Sequence, residues 1–226
     1  MAFNVGTAVG SYFGTAATAQ SIAVVSPASN ADIVIWAQYG SSGSAPGCTV
    51  DGFAATQVGS SVNSSSETLL QYVYQGAASG SHTVAFSLGT AANIGLAAVA
   101  VGGAGATDGG NTVDSNFAGT GTNAVLSFNV TTAHNGDIVF GFANWVSGSG
   151  TIASGTGYTN CSGASSGTFS SCCMEYIVQG TAGAIQPTFT ASNNSDILCG
   201  TIALQAAAGG GGGSQGGFRT RQRWRV

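Results

Sequence analysis

The sequence predicts an all-β chain built as antiparallel β-sandwiches. Charged residues make up only 5% of the chain and hydrophobic residues 43%, so a core can form although the surface must be largely uncharged. Short β-rich runs of period two recur between Gly, Ser, Asn and Pro. No window shows the sustained i, i+3, i+4 pattern of a helix, and the 37 glycines would weaken most candidate helices.

Five runs in the first half predict strands, at 21–25, 32–39, 68–74, 81–88 and 95–101. Units of roughly 100 residues with six to eight such runs are typical of jelly-roll or immunoglobulin-like sandwiches. The pattern leaves open whether the chain forms two sandwiches or one extended sandwich.

The chain also resembles itself. The run Asn-Ala-Asp-Ile-Val-Ile-Trp-Ala from Asn30 matches Asn-Gly-Asp-Ile-Val-Phe-Gly-Phe from Asn135. Similar matches join 71–76 to 175–180 and 94–101 to 197–204, at a spacing of roughly 104 residues. We therefore predict a duplication, and the predicted segments are a first β-sandwich repeat at 1–105, a second at 106–207, a Gly-rich linker at 208–217 and an Arg-rich C-terminal anchor at 218–226.

A family resemblance rests on motifs of the second unit. Gly-Asp-Ile-Val-Phe at 136–140, Gly-Thr-Gly-Tyr-Thr at 155–159 and Glu-Tyr-Ile-Val-Gln-Gly at 175–180 precede a Thr-Phe-Thr strand and a final Ile-Ala-Leu strand. This order resembles Gly/Ser/Thr-rich β-sandwich proteins of bacteria and bacteriophages. The resemblance covers nearly the whole chain except the arginine tail and implies an extracellular or virion-associated sandwich. It carries over no functional residue.

Catalytic chemistry is not predicted. A hydrolase needs a base that is usually histidine, and the two histidines, His82 and His134, fall at non-equivalent places in the two units. Asp32 and Asp137 each stand at the entrance to a predicted strand, where an Asx turn would use the side chain to hold backbone N–H groups. We therefore expect no catalytic residue and a protein that is not an enzyme.

Metal and cofactor sites are not predicted either. Asp108 and Asp114 lie in a glycine-rich connection, which reads as a plain linker because the ordered ligand spacing of a calcium loop is missing. The five cysteines contain no CxxC pair. They are expected to be mostly free thiols, with one disulfide from Cys161 to Cys172 or Cys173 as the alternative.

The basic residues are confined to the C-terminus. The whole chain has four Lys and Arg, and all four lie in the last eight residues. In an extended strand the arginines would project to one side and the aromatic residues to the other. The predicted partner-binding residues are Phe218, Arg219, Arg221, Arg223, Trp224 and Arg225, and the alternative is a solvated, disordered terminus.

These features predict a structural protein of a bacteriophage virion, a capsid decoration or a head or tail fibre component. The tail would dock onto an acidic surface of a virion protein or of another copy, and a homo-oligomer is expected. Nucleic acid is not expected as the partner, because four phosphate contacts bind modestly and an acidic body is repelled. Met1 begins no recognisable secretory signal, and the apolar stretch 94–106 is too short to span a membrane.

The alternative hypothesis is a secreted or surface-bound glycan-binding sandwich of a bacterium. Aromatic residues near predicted loops could stack on sugar rings. The candidates are Tyr12, Phe53, Tyr158 and Phe169. This alternative would place the protein outside the cell or at the cell surface.

Overall fold

The computed structural model describes residues 3–11, 16–40, 42–64, 66–115, 124–127, 129–145, 151–161, 172–192 and 197–206. For 105–115 and 124–127 it describes the backbone only. All regular elements in these ranges are β-strands paired antiparallel. The predicted all-β sandwich class is therefore confirmed.

The first half forms two sheets. Its strands are β1 (Asn4–Val5), β2 (Val9–Ser11), β3 (Ala17–Ser26), β4 (Ala31–Gly40), β5 (Gly47–Val50), β6 (Phe53–Ala54), β7 (Thr56–Gln57), β8 (Val62–Asn63), β9 (Glu67–Ala77), β10 (Gly80–Ala92) and β11 (Ile94–Gly102). The first inner sheet has the order β1-β11-β4-β9-β7, with β2 also on β11 and β8 also on β9. The first outer sheet has the order β3-β10-β5-β6.

The second half forms three sheets. Its strands are β12 (Ala104–Ser115), β13 (Ala124–Ser127), β14 (Val130–Thr132), β15 (Ile138–Trp145), β16 (Ile152–Ser154), β17 (Thr159–Asn160), β18 (Cys172–Val178), β19 (Gly183–Ile185), β20 (Thr188–Ala191) and β21 (Ile197–Ala206). The second inner sheet has the order β12-β21-β15-β18-β17. Two smaller sheets, β13-β20-β16 and β14-β19, form the second outer layer.

The path of the chain is that of a jelly roll. When the two-residue strands are set aside, successive strands change sheet every time: β2, β4, β9 and β11 belong to the first inner sheet, whereas β3, β5 and β10 belong to the outer one. An immunoglobulin sandwich instead keeps several consecutive strands in one sheet as hairpins. The alternation here matches the double Greek key of jelly rolls.

The four layers stack in the order outer, inner, inner, outer. One core lies between the two sheets of the first half and includes Ile33, Ile35 and Phe86. A second core joins the two inner sheets and includes Trp36, Phe140 and Phe142. Smaller cores, which include Phe189 and Val139, lie between the second inner sheet and its outer layer. The structure thus contains two sandwiches packed through their inner sheets, and we call this shared interface the seam.

The matched Asp-Ile-Val motifs face different layers. The motif match pairs Ile33 with Ile138, yet Ile33 packs in the core of the first sandwich and Ile138 packs in the seam. The ladder positions explain the difference. Trp36 is paired with Ala97, and Phe142 is paired with Gly200. Ala97 and Gly200 are equivalent because the sequence match joins 94–101 to 197–204. Trp36 therefore corresponds in the structure to Phe142, whereas the motif match pairs it with Gly141. A shift of one residue moves every side chain of a strand to the opposite face. The duplication itself stays a prediction.

The glycine-rich connection between the halves is not a plain linker. Residues 104–115 form β12, which pairs with β21 from Ala104↔Ala206 to Ser115↔Ile197 with two register shifts. Glycine has a low β-propensity, but the pairing with β21 provides hydrogen-bond partners for the backbone N–H and C=O groups of β12. The predicted boundary at 105/106 therefore falls inside β12.

Candidate functional site

The described histidine with a carboxylate partner is His82 on β10. Its Nδ1 lies 2.7 Å from Oδ2 of Asp51, and its Nε2 lies 2.8 Å from the carbonyl oxygen of Ala78. The other carboxylate oxygen of Asp51 accepts a 2.7 Å hydrogen bond from the backbone N–H of Thr83. Asp51 itself belongs to the tight turn between β5 and β6.

Both ring nitrogens of His82 therefore face acceptors. A carboxylate and a carbonyl oxygen cannot donate, so both bonds form only when the ring is the imidazolium ion. The hydrogen bond that the ring donates to Asp51 raises the pKa of His82, and the bond to the carbonyl of Ala78 adds to the rise. A histidine held in this way fixes the turn and is not available as a general base.

The two aspartates at strand entrances, Asp32 and Asp137, accept hydrogen bonds from different parts of the chain. Oδ2 of Asp137 accepts a hydrogen bond from the backbone N–H of His134 at 3.2 Å. The bond is local, but its donor precedes Asp137, whereas the donor of an Asx turn follows the aspartate. The carboxyl group of Asp32 accepts a hydrogen bond from the backbone of Gly76 on the neighbouring strand. Burial is the main cause that raises the pKa of Asp32.

Two glutamates are buried. Glu67 begins β9 and accepts a hydrogen bond from the side-chain amide of Gln38, and Glu175 on β18 accepts one from the backbone N–H of Gly155 at 2.7 Å. Burial raises the pKa of each carboxyl to about 7. At neutral pH both are largely or partly protonated, so the formal charge of −4 overstates the negative charge of the folded chain.

A polar bridge crosses the seam. Asn144 on β15 donates a 2.6 Å hydrogen bond from Nδ2 to Oε1 of Gln38 on β4. Beside it, within the first inner sheet, Nε1 of Trp36 donates to Oε1 of Gln71 at 2.9 Å. The rings of Trp36 and Phe142 stack with centroids 5.2 Å apart. Paired amides inside an apolar interface fix its register, because any slip would leave them buried without partners.

The body presents little exposed charge. Of the five acids with described side chains, Asp32, Glu67, Asp137 and Glu175 are buried. Asp51 is exposed and already bonded to His82. The described surface is therefore close to neutral, and ionic contacts to partners are left to other parts of the chain.

A cleft opens at one edge of the seam. Its volume is about 410 Å³, and it lies between the loop joining β1 to β2 and the edge formed by β17 and β18. The lining residues are Val5, Gly6, Thr7, Thr159, Asn160, Cys161 and Tyr176. The backbone N–H of Ala8 donates a 3.1 Å hydrogen bond to the carbonyl of Cys161, which ties the two walls together.

All five cysteines are free in the structure, so the alternative disulfide from Cys161 is not formed. As expected for neighbours on a strand, Cys172 and Cys173 face opposite layers. Burial raises the pKa of the Cys48 and Cys161 thiols to about 12. Within the described ranges, no group of three or more His, Cys, Asp and Glu side chains could hold a metal ion.

The predicted partner-binding residues, Phe218, Arg219, Arg221, Arg223, Trp224 and Arg225, lie outside the described residues, as does the linker at 208–217. The same holds for Tyr12 and Phe169. Among the other glycan candidates, Phe53 is 67% exposed on β6. Tyr158 is half-buried and adjoins Thr159 in sequence.

Sequence reasoning missed the cleft. Thr7 stands near the start of the chain, whereas Thr159, Asn160 and Tyr176 come from the second half. No local motif joins such distant segments, and only the stacking of two inner sheets brings them together. The segments that line the cleft contribute residue types such as Thr and Asn, which are common in this chain and do not indicate a binding site.

No helix of the described chain is long and apolar enough to cross a membrane. A scan against protein-family models and searches of curated proteins and of solved structures find no significant match to this chain.

Proposed function

We propose that this chain is a non-enzymatic structural protein of a bacteriophage particle, a surface-displayed decoration or fibre component. It would dock to its neighbours through the C-terminal tail. The observation that carries the proposal is the separation of charge: the described surface is nearly neutral, and every lysine or arginine of the chain lies in the last eight residues. Attachment by ionic contacts is thereby concentrated in one short segment.

The build of the body supports a display role. The described strands form four stacked layers around three levels of core, a compact build that suits a displayed module. Jelly rolls occur in viral capsid and lectin domains. This is an analogy at the level of the fold, and a fold alone does not assign a function.

The distribution of charged residues favours an acidic partner protein for the tail. Arginine forms bidentate bonds to carboxylates, and Trp and Arg dominate interface hot spots. The exposed described carboxylate, Asp51, is engaged by His82. Docking onto another copy would have to use Asp108, Asp114 or Asp196, whose side chains are not described. We therefore favour the acidic surface of a different virion protein.

The test removes the tail and then only its charge. A chain ending at Ala208 and a variant with Arg219, Arg221, Arg223 and Arg225 all changed to Gln should fold but no longer join particles. A variant with the same four positions changed to Lys keeps the charge and separates bidentate bonding from simple attraction. Circular dichroism and thermal unfolding check the body, and particle incorporation is measured by quantitative mass spectrometry. Normal incorporation of a folded, truncated chain would overturn the proposal.

The alternative function, a secreted or surface-bound glycan-binding sandwich, is supported by one observation, the uncharged cleft at the seam. Capsid or tail genes beside the coding gene would favour the virion. A polysaccharide gene cluster in their place would favour the alternative.

A further inference from the structure

We propose that the cleft at the seam is a binding subsite for a neutral, hydroxyl-rich ligand, of the chemical class of a mono- or disaccharide unit. The subsite belongs to the body and does not depend on how the C-terminal tail is attached. A particle protein could use it at a host surface, and a secreted lectin could use it in the same way.

The size and position of the cleft suit a small ligand. Its volume of about 410 Å³ falls in the range of roughly 300–1,000 Å³ that ligand sites occupy. One wall, Val5 to Thr7, belongs to the first sandwich, and the opposite wall, Thr159 to Cys161 with Tyr176, belongs to the second. Sites between packed units are common because neither unit alone closes the concave surface.

The polar groups of the walls match those of a sugar. The hydroxyls of Thr7, Thr159 and Tyr176 can each both donate and accept hydrogen bonds. Asn160 contributes its backbone, because its side-chain amide donates to Sγ of Cys173 on the other face of the strand. The hydroxyls of a sugar need partners of this double character. The apolar part of the lining comes from Val5 and the ring of Tyr176, which can cover the C–H surface of a pyranose.

The charge of the walls excludes ionic ligands. The described lining residues include no Lys, Arg, His, Asp or Glu, and the Cys161 thiol stays neutral because burial raises its pKa to about 12. Glu175, which pairs with Asn160 on the ladder, directs its carboxylate to the backbone N–H of Gly155. A phosphate or carboxylate ligand would lose its hydration and gain no counter-charge.

The walls are held in place before any ligand arrives. Cys161 accepts from the backbone N–H of Ala8 at 3.1 Å and donates its own N–H to the carbonyl of Met174 at 3.0 Å. The Tyr176 ring packs on Phe140, with centroids 5.9 Å apart. A preformed site does not spend binding free energy on ordering its groups.

The experiment titrates the full-length, isotope-labelled chain with glucose, galactose, N-acetylglucosamine and maltose, followed by ¹H–¹⁵N NMR. At least one sugar should give saturable shifts centred on the amides of Gly6, Thr159 and Cys161. Thr159→Val and Thr7→Val, which each remove one hydroxyl from opposite walls, should weaken that binding by roughly tenfold. The matched control Thr18→Val, an exposed strand threonine on β3, should leave it unchanged.

Three results would overturn the subsite: no saturable shift with any of the four sugars, shifts centred away from the cleft, or, in a parallel titration with glucuronate, tighter binding of this charged sugar than of glucose. The four-arginine Gln variant separates this question from tail docking. Sugar binding should persist in that variant even though particle incorporation is lost, and a parallel loss of both would also refute an independent subsite.

Discussion

Glu67 and Glu175 make the stability of the fold depend on pH. Each carboxyl is buried, and each has its pKa raised from 4.5 to about 7 mainly by burial. In the unfolded chain both would release their protons near pH 4.5. Between pH 4.5 and 7 the folded state therefore binds more protons than the unfolded state, so the free energy of unfolding falls as pH rises.

We predict that the chain is most stable in mild acid and loses roughly 3 kcal/mol per carboxyl by pH 8, since one pKa unit corresponds to about 1.4 kcal/mol. Glu67→Gln and Glu175→Gln mimic the protonated acid and should each flatten part of this slope. Urea denaturation at pH 4.5, 6 and 8 measures it. A slope that is unchanged in the double variant would contradict the assignment.

His82 acts in the same direction over a higher window. Its pKa is raised by the hydrogen bond to Asp51, so its contribution to stability is complete below its unfolded pKa and is lost as pH rises through the folded value. Asp51→Asn removes the carboxylate and serves as the control that separates this pair from the two glutamates. It should alter the pH dependence above about 6.5 and, because hydrogen bonds from Thr83 and His82 lower the pKa of Asp51 itself, also below about 4. The window from about 4.5 to 6.5, which belongs to the glutamates, should stay unchanged.

At the scale of the elements, the strands with strong period-two patterns were predictable. All five predicted runs lie in β3, β4, β9, β10 and β11, because long runs of β-branched and aromatic residues have no competing helical pattern. The short strands β6, β7 and β8 escaped prediction, since two residues carry no periodicity. The glycine-rich β12 was taken for a linker because its pairing with β21 comes from tertiary structure.

The hairpin between β5 and β6 could have been predicted. Asp51-Gly52 follows a β-rich run, and an Asp-Gly pair is the strongest short signal for a type I′ turn. Both residues have positive φ, 50° and 84°, as that turn requires. The cleft and the tail differ from this case. The cleft depends on contacts between distant segments, which sequence alone does not reveal. The docking role of the tail was inferred from composition, and residues 218–226 lie outside the described part of the chain.

Gly52→Ala should destabilise the protein by about 1–2 kcal/mol, because a side chain at this φ is strained even though no atom lies within 4 Å of the added Cβ. Gly10→Ala on β2 is the matched control. Its Cβ would meet nothing closer than 3.6 Å and its φ is not positive. Thermal or urea unfolding compares the two, and an equal effect of both substitutions would refute the turn assignment.

At the scale of the whole molecule, the seam makes one folding unit of two sandwiches. The inner sheets share a core that includes Trp36, Phe142 and Leu198, all at most 2% exposed. The hydrogen bond between Gln38 and Asn144 crosses the same interface. Separating the sandwiches would expose this apolar core to water, so neither half should persist alone once the other unfolds.

The cysteines provide probes for this cooperativity that need no substitution. Cys48 is buried in the first sandwich, and Cys199 is buried in the second on the side away from the seam. Both thiols are free. Pulsed thiol labelling along a urea series, read by peptide mass spectrometry, should give the same unfolding midpoint for the two.

The decisive variant is Phe86→Ala, which removes a fully buried ring from the core of the first sandwich, outside the seam. The loss should cost about 3–5 kcal/mol. If the seam couples the halves, the labelling midpoint of Cys199 falls together with that of Cys48, because the second sandwich cannot survive the exposure of its inner sheet. A Cys199 midpoint that stays fixed while that of Cys48 falls would mean two independent sandwiches. The polar bridge would then serve only to align them.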